Sequence, residues 1–223
     1  MSPKATLPKN SIRRKSPAAV EARERLLETA ERLLADHGID GVSLRQIAAE
    51  SGNANNSVIQ YHFGDKAGLI REIILRRVAR FEARRRDLMA SAEADGRTDD
   101  IRALLEILFL PIAEATDAEG RHIYARFLMQ FLTRFQYQAG IQHPGWSPDS
   151  AASRAVTLLA GRLAFLSPQQ LEARINRIGG LFFNALVDRD NAAAQRRAIE
   201  SGPDFEADLF AMMAAAIAAA PQI

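Results

Sequence analysis

The chain has 223 residues, no cysteine, one tryptophan and four histidines. The missing cysteines exclude a disulfide scaffold and thiolate chemistry. His37, His62, His122 and His143 fall at no metal-ligand spacing, so no metal site is expected. No apolar run reaches the roughly 18 uncharged residues of a membrane span, and the first residues lack the apolar stretch of a secretory signal. No membrane association and a cytoplasmic location are the expectations. There is no G-x-S-x-G, no phosphate-binding glycine loop and no Cys/His pair. The expectation is therefore no catalytic residue, no cofactor and no enzyme, since an enzyme would have to use dispersed residues. Alternating strand patterns are missing as well, which leaves helical periodicity to organise the chain.

A hydrophobic content of 48% suffices for real cores in one large or two modest domains. The net charge of +2 conceals an asymmetry. Residues 1–90 carry 17 Lys+Arg against 11 Asp+Glu, a balance of +6, and the remainder carries 12 against 16, a balance of −4. A basic first part joined to an acidic remainder points to a polyanion met by the first part alone.

Residues 1–16 are basic, free of acids and poor in apolar residues, and read as a disordered arm. Ser16-Pro17 then opens a helix that runs to His37 and stops at Gly38. Ser43-Leu44-Arg45-Gln46 has the form of a capping box for a short second helix ending near Ser51-Gly52. A third helix fits Asn55 to His62, with Ile59 and Phe63 pointing inward, and Asp65 can cap a long fourth helix from Lys66 to about Ala92. Five further helices are expected after Thr98, Thr116 to Glu119, Ser147-Pro148, Ser167 to Gln170 and Gly202-Pro203. The fold class is all-α with about nine helices, divided into the arm, residues 17–66 and residues 67–223.

Two short helices joined by a glycine-containing turn, after a longer first helix, form the layout of a helix-turn-helix. With Ile59 and Phe63 inward, the third helix offers Asn56, Ser57, Gln60 and Tyr61 outward. Asn and Gln match the hydrogen-bonding edge of adenine, and Val58 can touch a thymine methyl. Ser43, Arg45 and Lys66 lie at helix starts, where backbone N–H groups favour phosphate. Alternatives stand beside three of these readings: Ser43 as a cap, Asn55 as the cap of the third helix, and Tyr61 as a packing residue.

The segment from Ala22 to about Leu69, with G-V-S-L-R-Q-I-A near its start and Y-H-F-G-D-K-A-G-L at its end, resembles the DNA-binding domain of TetR-family transcriptional regulators. The stretch S-G-N-A-N-N-S-V-I-Q-Y-H-F is one residue longer than the family's usual turn and recognition helix. It also carries Ser57 and Gln60 where a small residue and an aromatic are usual. The resemblance implies a two-domain homodimer on a partly palindromic double-stranded operator, most often a repressor released by a small molecule. The candidate DNA-binding set is Ser43, Arg45, Asn55, Asn56, Ser57, Gln60, Tyr61, His62 and Lys66. The rival reading is an all-helical ligand-binding protein or enzyme that keeps a degenerate helix-turn-helix.

Further along, Phe109, Phe127, Phe131, Phe165 and Phe183 share the middle of the chain with His122, Arg126 and Gln130 on the sixth helix. Such a stripe is either core or the wall of a mostly apolar pocket with a few polar groups. On the second reading these eight residues hold a small hydrophobic effector with one polar end. Ile175, Ile178, Phe182, Leu209, Met213 and Ile217 form apolar faces on the last two helices, either a four-helix dimer interface or a helix pair within one core. Gly179-Gly180, in mid-helix, suggests close helix approach. Arg84-Arg85-Arg86 lies about 30 Å along the fourth helix from Lys66, too far for the same duplex, and reads as a solvated face or an interdomain contact.

Overall fold

The computed structural model describes residues 17–52, 57–134 and 147–220, and every regular element among them is an α-helix. Helix α1 (Pro17–His37) buries Leu26, Leu27, Ala30, Leu33 and Leu34 along one stripe and stops at Gly38, whose φ of 78° belongs to the left-handed region that glycine tolerates. Ser43 caps α2 (Leu44–Glu50) by accepting the Gln46 N–H at 3.1 Å. The Gln46 side chain turns to Glu50 instead of back to the cap, so the expected box is one-sided. Helix α3 spans Ser57–Phe63. Asp65 caps α4 (Lys66–Ala94) by accepting the Gly68 N–H at 2.7 Å, and its 29 residues extend about 43 Å.

Three helix starts differ from the sequence expectation. Helix α5 (Ile101–Ala113) is capped by Asp100, which takes the Arg102 N–H at 2.9 Å, and not by Thr98. Thr116 to Glu119 starts no helix. Asp117 Oδ1 accepts the Glu119 and Arg121 N–H groups at 3.1 and 2.8 Å, which closes a turn and delays α6 (Ile123–Arg134). Ser150, three residues beyond Ser147, caps α7 (Ala151–Arg162). Helix α8 (Pro168–Ala194) carries the complete box expected at Ser167 and Gln170, with bonds of 3.2 and 2.8 Å, and Ser201 caps α9 (Gly202–Ala218).

The buried side chains make one continuous cluster from Leu26 to Ile217. Helix α1 packs on α6 and α4, and the two short helices pack on each other and beneath α1 and α4. Farther along α4, α5 and α7 take over, with Glu82 Oε1 accepting the Ala151 N–H at 2.8 Å. Helix α8 lies against α6 and α9, and α9 lies against α5.

A carboxylate clamp fastens α1 to α4. Glu31, 1% exposed, accepts from Arg77 Nε at 2.9 Å, Arg77 Nη2 at 2.5 Å and Arg76 Nη2 at 2.9 Å. Arg76 also reaches Glu24 and Glu28, and Arg23 pairs with Glu72. A single charge on Glu31 could not neutralise two guanidinium groups, and the flanking glutamates complete the balance.

Candidate nucleic-acid interface and internal cavity

Helix α3 has seven residues and two unlike faces. Ile59 is fully buried and Phe63 nearly so, with the Arg23 guanidinium 5.3 Å above the Phe63 ring. On the other side Gln60 is exposed, and Tyr61 is 85% exposed, the largest exposure among the big apolar and aromatic side chains described. A tyrosine held so far out gains little from its own fold. His62 is half-buried, edge-on to Tyr61 at 5.2 Å. Asn55 and Asn56 lie outside the described residues. Ser57 provides the first turn of the α3 backbone.

Ser43 and Arg45, at the exposed start of α2, stand on a helix that packs against α3. The Ser43 hydroxyl already caps Gln46 N–H, so the cap reading of Ser43 holds. Lys66 has a similar structural duty: Nζ donates to Val42 O at 2.5 Å and ties the head of α4 to the turn before α2. Burial pushes its ammonium below the ordinary lysine value, with Asp40 opposing the shift. An ammonium has three donors, so one bond to Val42 leaves two for another acceptor.

Residues 26–73 match the family model described as bacterial regulatory proteins, tetR family. The chain carries a TetR-family DNA-binding domain. The TetR-type match begins within α1, takes in α2 and α3, and ends within α4, so it covers the helix-turn-helix and the clamp residue Glu31. No curated protein matches the sequence. The chain is a DNA-binding regulator of transcription, and no described helix is long and apolar enough to cross a membrane.

The longer helices enclose a cavity. Its walls are Val78, Phe81 and Arg85 from α4, Leu108, Phe109 and Ile112 from α5, Tyr124, Leu128 and Leu132 from α6, and Ile175, Asn176, Gly179 and Phe183 from α8. Its volume is about 60 Å³. Phe109 and Phe183 are thus the two members of the expected effector set that line it.

The other six lie elsewhere. His122 donates its backbone N–H to Asp190 at 2.7 Å, with its Nδ1 2.8 Å from the same carboxylate and its Nε2 3.1 Å from Ala113 O. It joins α6 to α8 and the end of α5. Arg126 donates to Asn191 Oδ1 at 3.1 Å. Gln130 approaches the Gly38 turn, where a Cβ would lie 3.6 Å from its Oε1. Phe127 and Phe131 are core residues, and Phe165 is 50% exposed, stacked on Arg174.

Ile178, Phe182, Leu209, Met213 and Ile217 are buried within the chain by α5, α8 and α9, which is the single-core alternative for these faces, and Ile175 lines the cavity. The apolar side chains that α8 and α9 leave outward are Leu181, Met212 and a row of alanines that includes Ala215 and Ala216, with Arg177, Asn184 and Asp208 among the exposed polar ones. Of the two mid-helix glycines, Gly179 faces Phe109 and Phe183, whereas a Cβ on Gly180 would meet nothing within 4 Å.

Sequence reasoning missed Arg85. It is 3% exposed and points into the cavity, while Arg84 beside it makes a two-pronged pair with Glu114. The signal was present in the spacing: Val78, Phe81, Arg85, Met89 and Ala92 recur every three or four residues and are all buried. Arg85 occupies an inward position of that stripe.

Proposed function

We propose that the chain is a homodimeric repressor, with residues 17–66 as the DNA-reading domain and residues 67–223 as the effector and dimer domain. It acts in the cytoplasm on a partly palindromic operator. The observation that carries this reading is the two-faced α3: Ile59 and Phe63 hold it, while Gln60 and Tyr61 are exposed, as are Ser43 and Arg45 on the neighbouring α2. On this reading Gln60, with Asn56 and Ser57, meets base edges, and Arg45, Tyr61 and Lys66 meet phosphates.

The outward Leu181, Met212 and alanine face of α8 and α9 supports association with a second copy, because small side chains let two helix pairs approach closely and apolar ones favour leaving water. The cavity supports control by a small hydrophobic effector. Its wall residue Tyr124 lies 5.3 Å under the Arg77 guanidinium, and Arg77 grips Glu31 of α1. A ligand that displaces Tyr124 would therefore act on the clamp that orients the reading helices. A reporter fused to the promoter beside the gene tests the repressor role. Deleting the gene should raise expression, and a fall on deletion would make the protein an activator.

A further inference from the structure

The chemistry of the cavity is set by Arg85. Its Nη2 donates to Leu108 O at 3.2 Å, while Nε and Nη1 are buried without a partner. Among the described residues no carboxylate forms an ion pair with it. Glu82, three residues earlier on α4, acts on it electrostatically without bonding to it: one Glu82 oxygen takes the Ala151 N–H and the other is itself buried without a hydrogen-bond partner. Residues 1–16, 53–56, 135–146 and 221–223 contain no Asp or Glu, so none of those stretches can contribute a carboxylate side chain.

An arginine stays charged in a protein, and a buried charge with no directly bonded counter-ion is costly until an anion reaches its free donors. Whichever Nη2 hydrogen is left free by Leu108 pairs with the N–H of Nε or of Nη1 as a two-donor edge, the shape that fits a carboxylate. The other walls of the cavity are mostly apolar, with Phe81, Leu108, Phe109, Gly179 and Phe183 among them, and Tyr124 and Asn176 are their polar members. Burial lowers the pKa of the guanidinium, with Tyr124 and Glu82 opposing, which is the mark of a charge held in such surroundings.

We infer that the cavity takes an amphiphilic carboxylate, its two oxygens on Arg85 and its apolar tail along Phe109, Gly179 and Phe183. The inference rests on the effector reading above and names the ligand class. The tail is short unless the walls move. The cavity volume is about 60 Å³, against the roughly 150 Å³ of an engineered apolar cavity that admits benzene. A longer tail would press on Tyr124, the wall residue that touches the clamp.

The test is calorimetric titration of the full chain with butanoate, hexanoate and octanoate, each beside its amide and its amine, repeated on Arg85→Met. At least one carboxylate should bind about tenfold or more tightly than its amide, and no amine should match it. Arg85→Met should erase that preference, keep the amide affinity and melt no lower than the wild type, because it removes an unpaired buried charge. Amides that bind wild type as tightly as carboxylates would overturn the anion inference and leave a ligand cavity, and with it the effector reading, in place. A preference for amines would do the same. Failure of all three series to bind would overturn both.

Discussion

The clamp at Glu31 permits the most quantitative prediction. Glu31→Gln keeps the shape and one acceptor oxygen but removes the charge that Arg76 and Arg77 share. The Arg77 side chain is 20% exposed and has no other carboxylate partner among the described residues, whereas Arg76, at 7%, keeps Glu24 and Glu28. Removing one partner of a buried pair costs about 3–5 kcal/mol. The residual amide acceptor and the other glutamates reduce that to about 2–4 kcal/mol. At this chain length each kcal/mol shifts the midpoint by about 2–4 °C, so Tm should fall by about 4–16 °C. Far-UV circular dichroism, in thermal and urea melts at one fixed protein concentration, reads the loss. Glu28→Gln is the internal control, since Glu28 is 57% exposed and such pairs contribute at most about 1 kcal/mol. If Glu31→Gln melted no lower than Glu28→Gln, the clamp would not be what fastens α1 to α4.

Gln60→Ala should cost about 1–3 kcal/mol of operator affinity and relax specificity, read by competition with scrambled DNA. An equal loss on both DNAs would reassign Gln60 to the backbone. Gly179→Ala should stabilise the chain by up to about 1 kcal/mol through helix propensity. The new Cβ meets Phe109 and Phe183 at 3.5 and 3.7 Å, ordinary contact distances, and it narrows the cavity. A destabilised variant in urea melts would show that these rings cannot accept it. Met212→Arg places a charge on the outward face of α9 and should yield monomers in size-exclusion chromatography with light scattering, while a persistent dimer would move the interface elsewhere.

Local signals made much of the fold legible. Pro17 at the start of α1, Gly38 at its end, Asp65 before α4 and the Ser167 to Gln170 box each act through a few neighbouring atoms, and the structure keeps them. Where two candidates compete, the sequence cannot rank them. Asp117 takes two N–H groups into a turn that Thr116 was expected to open as a helix, and Ser150 overtakes Ser147. Sites built from several helices were harder to see. Phe109 and Phe183 reach the cavity together with Arg85, which hides in a triplet of arginines, while Phe165 carries the same apolar signal and lies on the surface. The faces of α8 and α9 show periodicity without saying which partner covers them, and Phe182 and Met213 turned out to be covered from within the chain.

The proposed function rests most directly on Gln60, with Asn56 and Ser57, reading base edges while Tyr61 grips the phosphate backbone. Fluorescence anisotropy should compare DNA from the region beside the gene with a scrambled duplex of the same length, using ligand-free protein over a salt series. A base-reading α3 should give a preference for the native duplex of about 10³-fold or more, with affinity falling steeply as salt rises. Equal affinity for both duplexes at moderate salt would contradict it.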